Sequence, residues 1–123
     1  MALKEKALRR LGEKLTAANI PFAAGGEWLR CQLGQSAVYH TFDIVVSSAD
    51  AARADKVLTK LGMRQEQPAP DGVFCCHYHF DGADVTLLAA DVALEASGSA
   101  GVLGTSIPLL TESAWDAGAQ LLQ

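Results

Sequence analysis

No run of apolar residues in this 123-residue chain approaches the roughly 20 that a membrane helix needs, although half of the sequence is hydrophobic. The opening stretch, Met1-Ala2-Leu3-Lys4-Glu5-Lys6, alternates charge and polarity and lacks the apolar centre of a signal peptide, so a cytoplasmic protein without membrane attachment is expected. A surplus of basic charge is also missing. Net charge is −4, and the ten Lys and Arg residues are scattered apart from Arg9-Arg10, which excludes the basic stripe that free DNA or RNA requires. Cys31, Cys75 and Cys76 are odd in number and contain no CxxC spacing. Cys75 and Cys76 are neighbours in a strand-like run and would point to opposite faces, which strains a mutual disulfide or a shared metal. Reduced thiols packing as small hydrophobes are expected, and a zinc ribbon is excluded. There is no internal repeat or low-complexity tract. The length suits one domain, 1–123, with a real core and no room for separate catalytic and substrate domains.

Within that frame the hydrophobic pattern is legible. Leu3, Ala7, Leu8, Leu11, Leu15 and Ala18 recur at helical spacing, and Asn19 with Pro21 supplies a stop. Ile20 to Ala24 is short and apolar and reads as a buried strand ending at Gly25-Gly26, after which Trp28, Leu29 and Leu33 resume helical spacing. Tyr39 to Val46 is the next strand. Ser47 or Ser48 is placed to cap a helix from Ala49 to Leu61, with Gly62 as its C-terminal cap. Met63 to Gln65 reads as a short strand, and Gln67 to Gly72 as a loop by its prolines and glycine. Val73 to Phe80 and Ala83 to Ala89 flank Asp81-Gly82, a strong hairpin signal. Ala96 to Gly104, rich in Gly, Ser and Ala, reads as a loop. Ser106 to Leu110 reads as a strand before a last helix capped by Thr111.

A two-residue turn sets the hairpin register, and the register has chemical content. Phe80 should face Ala83, His79 face Asp84, Tyr78 face Val85 and His77 face Thr86. Alternation then puts Phe74, Cys76, Tyr78 and Phe80 on a core face with Val85, Leu87 and Ala89, and Cys75, His77 and His79 on a polar face with Asp84 and Thr86. The strand at Tyr39 to Val46 splits likewise, with Asp43 among Thr41 and Val45. Were that strand to lie beside the hairpin, Asp43, Asp84 and His79 would converge on one surface.

Gly25-Gly26-x-x-Leu29, His40-Thr41-x-Asp43-Ile44-x-Val46, Leu61-Gly62-Met63 and Ala83-Asp84-Val85 together resemble the nucleotidyltransferase-fold superfamily across about residues 20–90. The nearest branches are its small, bacterial-type members, aminoglycoside-modifying or like abortive-infection toxins. The resemblance implies an α+β fold with a mixed β-sheet of four or five strands, helices on the core face and the Asp43/Asp84 surface opposite. It implies that Gly25 and Gly26, with Thr41, bind a nucleotide. It implies that Asp43 and Asp84 are the catalytic acids holding magnesium, with His79 as a further candidate ligand. The partners it implies are a nucleoside triphosphate and a small-molecule acceptor. The helical substrate domain appended in many members is not expected here, and a homo-oligomer would take its place.

Three departures from that pattern point to a degenerate site. The second strand acid, two residues after the first, is Val45, which removes an oxygen ligand from a two-magnesium centre. Glu27 brings negative charge to the turn where the family often has Ser, and His40 stands where Arg or Lys is common. Each feature also has a plain structural use. A glycine pair serves any strand-to-helix turn, Asp43 could bond a nearby amide or Thr, Asp84 could be solvated, and histidines on an open sheet face are commonly hydrogen-bonded. Trp28 and Trp115 read as core or interface anchors. Weak or lost nucleotidyl transfer is therefore the leading expectation, and a non-catalytic binding or oligomeric assembly module that keeps the fold is the alternative.

Overall fold

The computed structural model describes residues 3–70, 72–90, 94 and 96–120. Helix α1 (Leu3–Ala17) leads into strand β1 (Ala23–Gly25), helix α2 (Gly26–Gln32) and strand β2 (Thr41–Ser47). A 3-10 turn (Ser48–Asp50) precedes α3 (Ala51–Thr59), followed by β3 (Met63–Glu66), β4 (Phe74–Phe80), β5 (Ala83–Ala90), β6 (Ala96–Val102), β7 (Thr105–Leu110) and α4 (Glu112–Gln120). The strands form one mixed sheet in the order β3-β4-β5-β2-β1-β7-β6. Its centre is the parallel pair β2 and β5, with Thr41 opposite Asp84 and Asp43 opposite Thr86.

The hairpin register is the expected one: Phe80 pairs with Ala83, His79 with Asp84, Tyr78 with Val85 and His77 with Thr86. Asp81 (φ 51°) and Gly82 (φ 75°) both adopt the left-handed conformation of a type I′ turn, which matches the twist of the flanking strands. The expected core face is buried through Phe42, Ile44, Val46, Cys76, Tyr78, Phe80, Val85 and Leu87. Against it lie α1, through Ala7, Leu8, Leu11 and Leu15, and α3, through Ala54 and Leu58, all fully enclosed. Each such leucine stabilises the fold by about 1.5–3 kcal/mol relative to an exposed one.

Several expectations are corrected. The sheet has seven described strands instead of four or five: all six segments read as strands join it, and Ala96 to Gly104, read as a loop, supplies the seventh. Its residues form β6, paired antiparallel with β7 through a turn at Leu103 (φ 49°) and Gly104 (φ 88°). Small residues are tolerated there because β6 is an edge strand with one neighbour, and Leu-Gly is not a turn signal that sequence patterns reveal. The first strand starts later than Ile20 and takes in Gly25, and β2 starts at Thr41, not Tyr39. Ser47 does not cap the following helix through the backbone; its Oγ donates to Asp50 Oδ2 at 3.1 Å. Gly62 is not a left-handed cap. It is required because a β-carbon would collide with the His79 carbonyl and approach Phe80 Cβ within 2.6 Å. Thr111 does cap the last helix, its Oγ1 accepting the Ala114 N–H at 3.1 Å.

One polar cluster fastens α3 to the sheet. Arg64 Nε and a terminal nitrogen donate to Asp55 at 2.8 and 3.0 Å, and Tyr78 Oη donates to the same carboxylate at 2.5 Å. Burial alone would raise the Asp55 pKa, but the donors from Arg64 and Tyr78 outweigh it and hold the carboxylate below its ordinary range. Tyr78→Phe is therefore expected to lower unfolding stability by about 1–2 kcal/mol in urea denaturation. Arg10→Ala, which removes the half-exposed Arg10–Asp81 pair at 2.8 Å, should cost less than about 1 kcal/mol. Equal losses in the two variants would mean that the Tyr78–Asp55 bond contributes no more than a surface ion pair.

Candidate functional site

The strand-to-helix turn at Gly25-Gly26 sets the geometry. Gly25 pairs with Asp43 across the antiparallel β1–β2 ladder, so the two residues project to the same face of the sheet, the one opposite α1 and α3. Gly26 has φ 65°, a left-handed conformation, and a β-carbon on it would overlap the Asp43 carboxylate, lying within 2.7 Å of Cγ. Two independent constraints thus exclude any side chain at position 26. Above Gly25 lies the indole of Trp115, whose ring atoms would sit 2.8 and 2.9 Å from a β-carbon there. Asp43 is consequently packed against the Gly26 backbone and half-buried, and the aromatic ring covers its cross-strand partner Gly25.

That enclosure alters its chemistry. Burial, reinforced by the negative charge of Glu27, raises the Asp43 pKa to about 7, and among the described residues nothing donates a hydrogen bond to its carboxyl group. The structural bond to an amide or to Thr41 is therefore not how Asp43 is accommodated. Glu27 and His40 bind each other: Glu27 accepts from the His40 backbone N–H at 3.3 Å and meets its Nδ1 at 3.2 Å. The His40 contacts and the nearby Arg30 hold the Glu27 pKa below its usual value. This pair ties the start of α2 to the start of β2.

Asp84 lies on the same face as Asp43, with Thr41 directly opposite it. The two acids are diagonal neighbours, two positions apart along adjacent strands, since the residue facing Asp43 is Thr86. Asp84 is exposed and engaged elsewhere, with its Oδ1 2.8 Å from His79 Nδ1. His77 meets Thr86 Oγ1 at 3.1 Å. His77, His79 and Asp84 line a shallow cavity of about 330 Å³ with Met63 and Gln65. The face was expected to be polar, yet Val45, Thr86 and Leu88 near its centre are buried. The polar character survives only towards β4 and β3.

These donors do not fit a two-metal centre. Val45 is an aliphatic side chain in the second position, Asp43 carries its proton to about neutral pH, and Asp84 is paired with His79. Among the described residues no three His, Cys, Asp or Glu side chains are gathered as metal ligands. No described helix is long and apolar enough to cross a membrane. The three cysteines are free thiols, and burial raises the pKa of Cys75. Sequence reasoning placed Asp43, Thr41, Asp84 and His79 on one face. It missed Trp115 as a wall of the site, because nothing in local pattern links residue 115 to residue 25.

No protein-family model matches the chain, and no curated protein matches it in sequence. Solved structures do. The chain is similar to a candidate nucleotidyltransferase of Thermotoga maritima, TM1012, with a TM-score of 0.70 and 16% identity, covering 94% of this chain and 83% of that one. It is similar to ANT(2″)-Ia in complex with adenylyl-2″-tobramycin, with a TM-score of 0.66 and 15% identity over 92% of this chain and 73% of the other. A solution structure of the antibiotic-resistance factor ANT(2″)-Ia aligns with a TM-score of 0.64 and 15% identity over 90% and 66% of the two chains. The likeness is one of architecture: the chain has the α+β nucleotidyltransferase fold.

The raised pKa of Asp43 makes stability depend on pH. An unfolded Asp titrates near 3.9, so between that value and about 7 the folded state holds a proton that the unfolded state has lost, and stability falls as pH rises through this window. Asp43→Asn, which cannot ionise, should abolish the decline and exceed the wild type at pH 8 by roughly 2–4 kcal/mol. Urea denaturation between pH 5 and 8 measures both curves. A parallel pair of profiles would show that Asp43 is not the titrating group.

Proposed function

We propose that this chain, acting as one domain, is a nucleotidyltransferase-fold protein that binds a nucleoside triphosphate weakly at Gly25, Gly26, Thr41 and Asp43 and has little or no nucleotidyl transfer activity. The observation that carries this reading is the packing of the Asp43 carboxyl against Gly26 at the strand-to-helix turn, combined with an aliphatic Val45 two residues on. The fold and the retained first acid support nucleotide binding. The missing second acid and the proton on the first support weak or lost catalysis. Asp43 and Asp84 are the groups that would hold a single magnesium ion, which when bound would neutralise phosphate charge. The neighbour bound to adenylyl-2″-tobramycin supports a small hydroxyl-bearing molecule as acceptor. Residual transfer would consist of attack by that hydroxyl on the α-phosphorus with departure of pyrophosphate.

A second reading, a non-catalytic assembly module, is favoured by the two sheet edges. Among the described residues, strands β3 and β6 each pair with one neighbour, which leaves one backbone edge apiece for another chain. The two readings separate in one calorimetric experiment with Mg·ATP. Under the nucleotide reading, binding is weak, in the range of about 1 mM, strengthens as pH rises through about 7 while Asp43 ionises, and is lost in Asp43→Asn. Binding that is absent at every pH, with dimers in sedimentation, would favour the assembly module.

Val45→Asp gives a further test of why transfer is weak. The new carboxylate would project beside Asp43 on the same face, and magnesium affinity should rise at least tenfold above pH 7 in a folded variant. Stability should fall by a few kcal/mol, about 2–4, because Val45 is buried. Efficient magnesium-dependent transfer by the wild type to a panel of hydroxyl acceptors would overturn the degenerate-site reading.

A further inference from the structure

The surface of the Gly25-Gly26 turn is not open to solvent: the indole of Trp115 lies on Gly25, with ring atoms 2.8 and 2.9 Å from where a β-carbon would be. Gly25 and Asp43 are direct cross-strand partners, and such partners have β-carbons about 4.5–5.5 Å apart. The ring is therefore a wall of the compartment that holds Asp43.

Among its described residues, the helix carrying this ring has few ties to the rest of the fold. Of α4, Ala114 and Trp115 are the half-buried residues packed on the core, whereas Glu112, Ser113, Asp116 and Ala117 are exposed. Its other described ties run to α2 and the loop after it: Arg30 to Asp116 at 3.9 Å, with both side chains more than half exposed, and Gln35 Nε2 to Glu112. Exposed contacts of this kind add little to stability. Among the described side chains, Trp115, with the small Ala114 beside it, seats the helix against a surface that has no side chain of its own.

We propose that α4 is a lid on the Asp43 compartment, with Trp115 as its latch on Gly25, and that a ligand reaches Asp43 only when α4 lifts from the sheet. The bare backbone of Gly25 serves two exclusive occupants in turn, the indole when the lid is closed and the ligand when it is open. Thr111, whose hydroxyl caps α4 just beyond the end of β7, marks the pivot. That the ligand is a nucleoside triphosphate rests on the function proposed above; that the lid exists does not.

The lid is tested in the full-length chain by native-state hydrogen exchange. In the wild type, the backbone amides of Trp115, Asp116 and Ala117 should exchange through local opening at least tenfold faster than those of β2 and β5. Trp115→Ala should accelerate their exchange at least another tenfold while β2 and β5 keep their protection. Asp116→Arg, at an exposed position, sets two positive charges together and should accelerate α4 exchange about two- to fivefold. Arg30→Asp combined with Asp116→Arg should restore the wild-type rate. Exchange of α4 in step with β2 and β5 in the wild type, or general loss of protection in Trp115→Ala, would show that Trp115 is an integral core residue and would overturn the lid.

The ligand is examined separately by acrylamide quenching of Trp115 in a Trp28→Phe background, with Mg·ATP as probe. If the nucleotide is the occupant, saturating Mg·ATP exposes Trp115, and Trp115→Ala binds it several-fold more tightly than the wild type. Local opening of α4 with no response to Mg·ATP supports the lid and removes the nucleotide reading. Mg·ATP binding that is abolished by Asp43→Asn but leaves Trp115 quenching unchanged overturns the lid and keeps the nucleotide reading.

Discussion

The candidate site depends on the absence of a β-carbon at two adjacent positions. At Gly26 the space that a side chain would fill is taken by the carboxyl group of Asp43, and at Gly25 it is taken by the indole of Trp115. Antiparallel pairing of β1 with β2 puts Gly25 opposite Asp43, so two close approaches that are separate in sequence become walls of one compartment. The left-handed backbone at Gly26 then starts α2, which returns Trp28 to pack edge-on to Phe42 in the core, with ring centroids 6.0 Å apart. Backbone conformation, the position of an ionisable group and the seating of the last helix all follow from that pair of glycines.

Electrostatics at the turn are arranged against an ionised Asp43. Glu27 faces it with like charge, and the potential compensator, His40, is occupied by Glu27 itself. A carboxyl group in that setting stays protonated until about neutral pH, which removes the charge a cation would need while leaving the shape of the fold's site in place. Asp84, by contrast, is solvated and paired with His79. The two acids occupy the same sheet face in different electrical environments, Asp43 half-buried and Asp84 exposed.

The remainder of the scaffold is conventional in its energetics. Leucines of α1 and α3 fill one face of the sheet, and the Asp55–Arg64–Tyr78 cluster fixes α3 to β3 and β4. The described residues cover the opposite face only in part, with Trp115 over its β1 side and a shallow cavity over β3, β4 and β5. A site set between a packed region and an open one is where a weakly held helix can control access at small cost to overall stability.

Local pattern determined a great deal. Period-two alternation and the Asp81-Gly82 turn set the β4–β5 register to the residue, because shifting it by one would turn Tyr78 and Val85 to solvent. The same alternation placed Asp43, Asp84 and His79 on one face, and helical spacing located the buried stripe of α1. Tertiary structure decided what local pattern could not encode. Strand β6 exists because β7 offers it an edge, despite a composition poor in strand formers. Glu27 and His40 are partners because α2 and β2 meet, 13 residues apart in the chain. Asp43 is a half-buried acid whose pKa is raised by burial and by the charge of Glu27, and Trp115, on the last helix, lies over its cross-strand partner Gly25. Short-range sterics and periodicity are written in neighbouring residues, whereas burial, and with it the charge state of a carboxyl group, depends on which distant atoms exclude water.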